Sequence, residues 1–224
     1  MAVHDVRIEV TPLQTEGMRD VRGDVVRRQL IADHGIDVGV VRSICGYLVR
    51  SQYDASAITP RVQEIFSDPI IEFGAVDTSL INDETFFSQT PSLCVTVGFK
   101  PGVTDNPGAA ANDGFQVLFP DEDAAISTYT TYVFTNLPET VDNTWLSSTL
   151  HNPLIERAIL ATREEVVSGN ATNITFPDRP TIVRQSPSII DLEVENEELI
   201  RLSTDGLLAL NLTEMQAIQA HYRM

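Results

Sequence analysis

The sequence predicts an α+β protein. It reads as two tandem small α/β sandwich units, each a three-stranded sheet covered by two helices, forming a pseudo-dimer that is followed by a helical linker. Three observations carry this. Short β-branched runs alternate with helical stretches. A set of residue phrases returns about 85 positions later. A stretch rich in Pro, Thr and Asn, Gly169–Ser188, then precedes two further helical patches. The boundaries fall at 1–84, 85–168 and 169–224.

The repeat is the firmest of the three. Gly17-Met-Arg-Asp20-Val-Arg-Gly23 returns as Gly102-Val-Thr-Asp105-Asn-Pro-Gly108, 85 residues on. Val41–Val49 returns at the same offset as Ile126–Phe134, and Asp68-Pro69-Ile-Ile-Glu72 returns at 84 as Asn152-Pro153-Leu-Ile-Glu156. Three ordered matches at a near-constant offset, in two copies only, fit paired domains and not a solenoid. A three-stranded sheet leaves open edges, and pairing of the two copies would close them.

Each element has a local reason. Val6–Val10 alternates as a strand does. Gly17–Gly23 is a turn feeding a helix whose apolar face is Val21, Val25, Val26 and Leu30, ended by Gly35. Val38–Val49 is a β-branched run. Thr59-Pro60 reads as N-cap and first helical residue, with Ile58, Val62, Ile65 and Phe66 as the buried face. Asp68-Pro69 stops that helix before a strand over Ile70–Val76. In the second copy Leu93–Phe99 is a strand, and Asn106-Pro107 caps a helix weakened by Gly108 and Gly114 and ended by Pro120. Ile126–Phe134 is a strand, Pro138–Leu150 a helix carrying Val141, Trp145 and Leu146, and Leu154–Leu160 a strand. Beyond the linker, Glu193–Ser203 is helical. Leu212–Tyr222 opens on an Asn211/Glu214 capping box, with a stripe of Met215, Ile218 and Tyr222.

Composition narrows the function. Thirty-two acidic residues against fifteen basic ones give a net charge of −17, which opposes nucleic acid or an anionic membrane as partner. No apolar run approaches the ~20 residues of a membrane span, and the N-terminal residues carry no secretory pattern. The expected location is the cytoplasm. Cys45 and Cys94 lie in strand-like runs without metal spacing and read as reduced core thiols. The histidines His4, His34, His151 and His221 are scattered, so no metal site is expected. Asp121-Glu122-Asp123 reads as a solvated turn, and Lys100-Pro101-Gly102 as turn chemistry without a phosphate-loop pattern. No catalytic and no cofactor-binding residue is singled out.

Several phrases resemble a known family. Val97-Gly98-Phe99-Lys100-Pro101-Gly102-Val103-Thr104-Asp105-Asn106 resembles a phrase near the start of many phosphoribosylformylglycinamidine (FGAM) synthases. Arg7-Ile8-Glu9-Val10 with Met18–Gly23 is similar to the small stand-alone subunit of the multi-subunit enzyme. Leu208–Arg223 resembles the helical linker leading to the catalytic region. The resemblance runs from about residue 6 to 223.

It implies an assembly region of the enzyme that converts FGAR to FGAM in de novo purine synthesis, using ATP and glutamine. The implied partners are the FGAM synthetase catalytic region and the glutaminase, held so that ammonia passes under cover. ATP and Mg belong to that catalytic region. The Ser-Glu-His-Cys phrase, the Gly-rich phosphate loops and a glutaminase triad are absent from these residues, so no catalysis by them alone is implied. Asn106-Pro107-Gly108-Ala109 departs from the Asn-Val-Gly-Arg common in relatives, so any contact made by that Arg has no counterpart here. The turn residues Gly17, Asp20, Gly23, Gly102, Asp105 and Gly108 are candidate partner contacts, although a glycine-assisted turn with a helix N-cap also explains them. Met215, Ile218 and Tyr222 are candidate linker contacts. The other reading left open is a regulatory ligand-binding protein, with an effector between two similar α/β modules. An independent enzyme has no motif in its favour.

Overall fold

Alternation along the strands decides the layers. In β1 (His4–Pro12) the even positions Val6, Ile8 and Val10 are buried on one face. β2 (Val41–Ser51) sends Val41, Cys45, Tyr47 and Val49 to the same face, and Ile44 and Leu48 to the other. The computed structural model of the chain describes residues 3–15, 18–87, 90–120, 124–168, 175, 177 and 189–223. It divides into two units, Met1–Pro180 and Thr181–Met224.

The first unit is built on one antiparallel sheet of six strands. β3 (Glu72–Val76), β4 (Leu93–Phe99), β5 (Ala125–Phe134) and β6 (Glu156–Thr162) complete it in the order β3-β1-β2-β5-β4-β6. The two sets of three strands join through a long β2–β5 pairing from Val41↔Phe134 to Arg50↔Ala125. In that pairing Cys45 lies opposite Thr130, the residue 85 places on. Ile8 faces Tyr47 in one half, and Val95 faces Tyr132 in the other.

Helices cover one face. α1 (Val21–His34) places Val26 and Leu30 in a cluster with Leu93, Val95 and Phe134 from the far half of the sheet. α4 (Asn106–Leu118) places Phe115 among Val6, Ile8 and Val10 of the near half. α5 (Asn143–Leu150) supplies Leu146, and its Trp145 meets His34 edge-on with centroids 4.9 Å apart. The opposite face is covered at one end. Leu80 and Ile81, from a 3-10 turn at Leu80–Asn82, pack with Phe86, Phe87 and Val166 of α6 (Arg163–Val167) over Ile44, Cys94 and Val133.

Several boundaries differ from the sequence expectation. Val21 is 65% exposed, and the buried stripe of α1 is Gly23, Val26 and Leu30. Thr59 is not an N-cap. Asp54 caps an earlier turn, α2 (Ala55–Ile58), and the Thr59 hydroxyl donates back to the Ala55 carbonyl. Pro60 sits in a 3-10 turn before α3 (Val62–Ile65), so this stretch is three short pieces and not one helix. Asp105, not Asn106, caps α4, with Asn106 and Pro107 as its first residues. α5 begins at Asn143, capped by Asp142, instead of at Pro138. Gly35 does end α1, in a left-handed conformation at φ 68°.

The second unit is a helix pair, α7 (Asn196–Asp205) and α8 (Leu212–Tyr222). The Ser203 hydroxyl both donates to the Leu210 carbonyl and accepts from the Leu210 N–H, which fixes the connection. Gln219 donates to the carbonyls of Leu192 and Val194. The Asn211/Glu214 capping box is present in full. Apart from Thr175 and Pro177, the Gly169–Ser188 linker lies outside the described residues, as does the Asp121–Asp123 turn. No helix among the described residues is long and apolar enough to cross a membrane.

Candidate functional site

Asp20 and Asp105 are the best-defined of the sequence candidates, and each makes the same bonds. Asp20 accepts from the N–H of Gly23 at 2.8 Å, from the N–H of Ser43 at 2.5 Å and from the Ser43 hydroxyl at 2.8 Å. Asp105 accepts from the N–H of Gly108 at 2.7 Å, from the N–H of Thr128 at 2.6 Å and from the Thr128 hydroxyl at 2.9 Å. Every partner of Asp105 lies 85 residues after its counterpart. One carboxylate thus caps a helix and ties that helix to the strand beneath it.

The glycines follow from that closeness. A Cβ at Gly23 would stand 2.1 Å from the Val41 carbonyl oxygen, and one at Gly108 would stand 2.6 Å from that of Ile126. Gly102 takes φ 86° in a turn closed by the Val103 N–H donating to the Lys100 carbonyl. Gly17 lies outside the described residues. These bonds point inward, so the paired turns brace the fold, whatever else they contact.

Between the two turns lies the middle of the helix-side face, with Cys45 opposite Thr130 and Tyr47 and Tyr132 on either side. The Arg22 guanidinium, from the first turn of α1, donates to Cys45 Sγ. Burial pushes the Cys45 thiol above its usual range. Arg22 opposes this, while Glu72 and Asp20 add to it. The Tyr47 and Tyr132 hydroxyls are likewise raised by burial. A cleft of about 230 Å³ opens here, with Arg22, Cys45 and Glu72 in its lining and Val10, Met18 and Ile71 as apolar wall.

The other face holds a buried acid that sequence reasoning did not single out. Glu9 is 2% exposed. Its carboxylate accepts from the Leu80 N–H at 2.7 Å and from the Tyr129 hydroxyl at 3.1 Å, with Arg7 Nε 3.8 Å away. Tyr129 can lie there because its cross-strand partner is Gly46, where a Cβ would fall inside the ring. Burial raises Glu9 above the usual carboxylate range, against the pull of the Leu80 N–H and Arg7, and holds Tyr129 well above its own. The signal was an acidic residue amid an apolar strand. It reads as the wet side of β1 because nothing in β1 announces the cover from residues 80–87.

In the second unit, Met215 is buried, Ile218 half-buried and Tyr222 exposed, so the stripe is only partly available to a contact. A larger hollow of about 540 Å³ beside Ile81, Asn82 and Phe87 carries Glu84 as the one ionisable lining residue among the described residues. Cys45 and Cys94 are both free thiols; burial pushes Cys94 up to about 12. Among the described residues no cluster of His, Cys, Asp and Glu is placed to hold a metal ion. The arrangement offers two braced turns, a cleft bearing both signs of charge, and a buried acid bracing a loop. No protein-family model matches the chain, and no curated protein matches it significantly.

Proposed function

We propose that this chain is an assembly region of a phosphoribosylformylglycinamidine synthase, in which two copies of one small α/β unit pair about the Cys45–Thr130 position. It holds the synthetase core and the glutaminase in register and does no chemistry by itself. The observation that carries the reading is the recurrence of the Asp20 bonds at Asp105, in a sheet whose order mirrors about the β2–β5 pair. That recurrence supports a duplicated unit. The residue phrases at 97–106 and 208–223 support the enzyme family. The two helices α7 and α8 are then the start of the path toward the catalytic region, ATP and Mg lie with that region, and the location is the cytoplasm.

The test has two arms. The purified chain is assayed for FGAM formation with ATP and either glutamine or ammonia; turnover in either would overturn the non-catalytic assignment. The chain is then used as bait in extracts of its source cells. Recovery of a synthetase core and a glutaminase is expected, and recovery of neither would count against the assembly role.

The second reading, a regulatory protein with an effector between two similar α/β modules, draws its support from a cleft lined by residues of the first half, where Arg22 and Glu72 stand beside an apolar wall.

A further inference from the structure

The cleft at the foot of α1 contains an unusual arrangement of charge. Among the described residues four of its lining residues are ionic, and two of these are already committed. Asp20 spends both oxygens on Gly23 and Ser43, and Arg19 is paired with Asp24 at 2.6 Å. The remaining two are Arg22 and Glu72. Among the described residues neither makes an ion pair, with the other or with anything else. Glu72 gives one oxygen to the Asp68 N–H at 3.0 Å, and its second oxygen has no hydrogen-bond partner among the described residues. Among the described residues Arg22 donates to the thiol of Cys45 and to no other side chain. Both charges face that thiol and act on it in opposite senses. Opposite charges thus border one space without meeting across it, and the wall between them is Val10, Pro12, Met18 and Ile71.

We infer that this cleft binds a zwitterionic α-amino acid with an apolar side chain. The carboxylate pairs with Arg22, the ammonium with the open oxygen of Glu72, and the side chain lies on the aliphatic wall. The size agrees: a cleft of about 230 Å³ has room for a leucine-sized molecule. A guanidinium matches a carboxylate in planar, two-point geometry. An anion alone would leave Glu72 opposed to it, and a cation alone would meet Arg22. The inference rests on the cleft and not on the assembly reading, so either can fail without the other.

Cys45 in the cleft gives a direct readout. Its alkylation by a maleimide is followed by mass spectrometry on the native chain, with Cys94 as the buried internal reference. Millimolar L-valine, L-leucine, L-methionine and L-phenylalanine are compared with 4-methylpentanoate and isoamylamine, which each keep one charge of leucine. At least one amino acid is expected to slow Cys45 alkylation about tenfold more than either single-charge analogue. Arg22→Met and Glu72→Gln should each remove that protection, judged for each variant with and without ligand. Glu72→Gln keeps an acceptor for the Asp68 N–H, so its fold is retained. Amide NMR shifts at Ser43 and Glu72 provide a second readout independent of the thiol. No protection and no shift with any of the four amino acids would overturn the inference. So would equal protection by 4-methylpentanoate, which would make the cleft an apolar carboxylate site, or protection that survives both substitutions.

Discussion

The two halves of the sheet, β1–β3 and β4–β6, agree where the backbone must be held and differ where a face need only be filled. Asp20 and Asp105 tie helix to strand with the same three bonds. The turns before β3 and β6 also agree. Asp68 and Asn152 each accept from the N–H two residues on, while Glu72 and Glu156 reach back to the N–H of Asp68 and Asn152. On the face away from the helices the agreement stops. Glu9 faces Gly46 in one half; in the other the matching cross-strand pair is Thr96 and Thr131, whose hydroxyls bond at 2.8 Å. The helix-side cleft is one-sided too. Pro107 and Thr130 stand 85 places after Arg22 and Cys45. The repeated residues therefore belong to folding, and the groups that could recognise something lie where the halves diverge.

The comparison can be broken first at the aspartates. Asp20→Ala leaves two buried N–H groups and a hydroxyl without acceptor and is expected to cost about 4 kcal/mol in urea unfolding. Asp105→Ala should cost about 3 kcal/mol, because its site is only partly buried. A negligible cost at either would mean that the two turns are not equivalent braces. Gly23→Ala and Gly108→Ala come next, at about 3 and 2 kcal/mol, ranked by the 2.1 Å and 2.6 Å approaches of their added carbons. The reverse ranking would contradict the geometry.

The third test sharpens the difference between Glu9 and Thr96. Glu9→Ala strands the Leu80 N–H and the Tyr129 hydroxyl and should cost about 2 kcal/mol, whereas Thr96→Ala should cost about 1 kcal/mol. The pH profile separates charge from packing. Because folding raises the Glu9 pKa, its contribution to stability is fully present below the ordinary value of 4.5. It is lost as the pH rises through the raised folded value. Glu9→Gln should therefore gain stability relative to the parent chain from about pH 4.5 upward. A parallel pair of profiles would show that Glu9 is not buried as described. The smallest effect concerns the thiols. The folded chain should take up one equivalent of maleimide, at Cys45, and two after unfolding, since Cys94 is fully buried. Uptake at Cys94 in the folded chain would contradict its place under Ile81 and Phe87.

Much of this architecture is legible in the residues. The strand β4 has the bounds that its β-branched run predicts, Gly35 ends α1 by its freedom at positive φ, and Asn211 with Glu214 opens α8. What the sequence hides has physical causes. Periodicity tells which residues share a face but not whether that face is covered, so the alternation over Val6–Val10 does not reveal that Glu9 is buried, nor Thr11 beyond it. The cover itself, Leu80, Ile81, Phe86 and Phe87, has no helical or strand period to announce it. Short caps mislead in the same way: Thr59-Pro60 has the form of a helix start, yet Asp54 supplies the stronger acceptor one turn earlier. The cleft was invisible because Arg22, Cys45 and Glu72 come from three separate elements and only the sheet register brings them together.

The most direct measurement is the activity that accompanies this chain out of its source cells. The chain is captured from a native extract with an antibody to it, washed, and supplied with FGAR, ATP, Mg and glutamine. FGAM formation that scales with the amount of captured chain is expected, together with none from the chain purified alone. A captured fraction rich in the chain but without synthase activity, and without a synthetase core or glutaminase among its proteins, would contradict the assembly role outright.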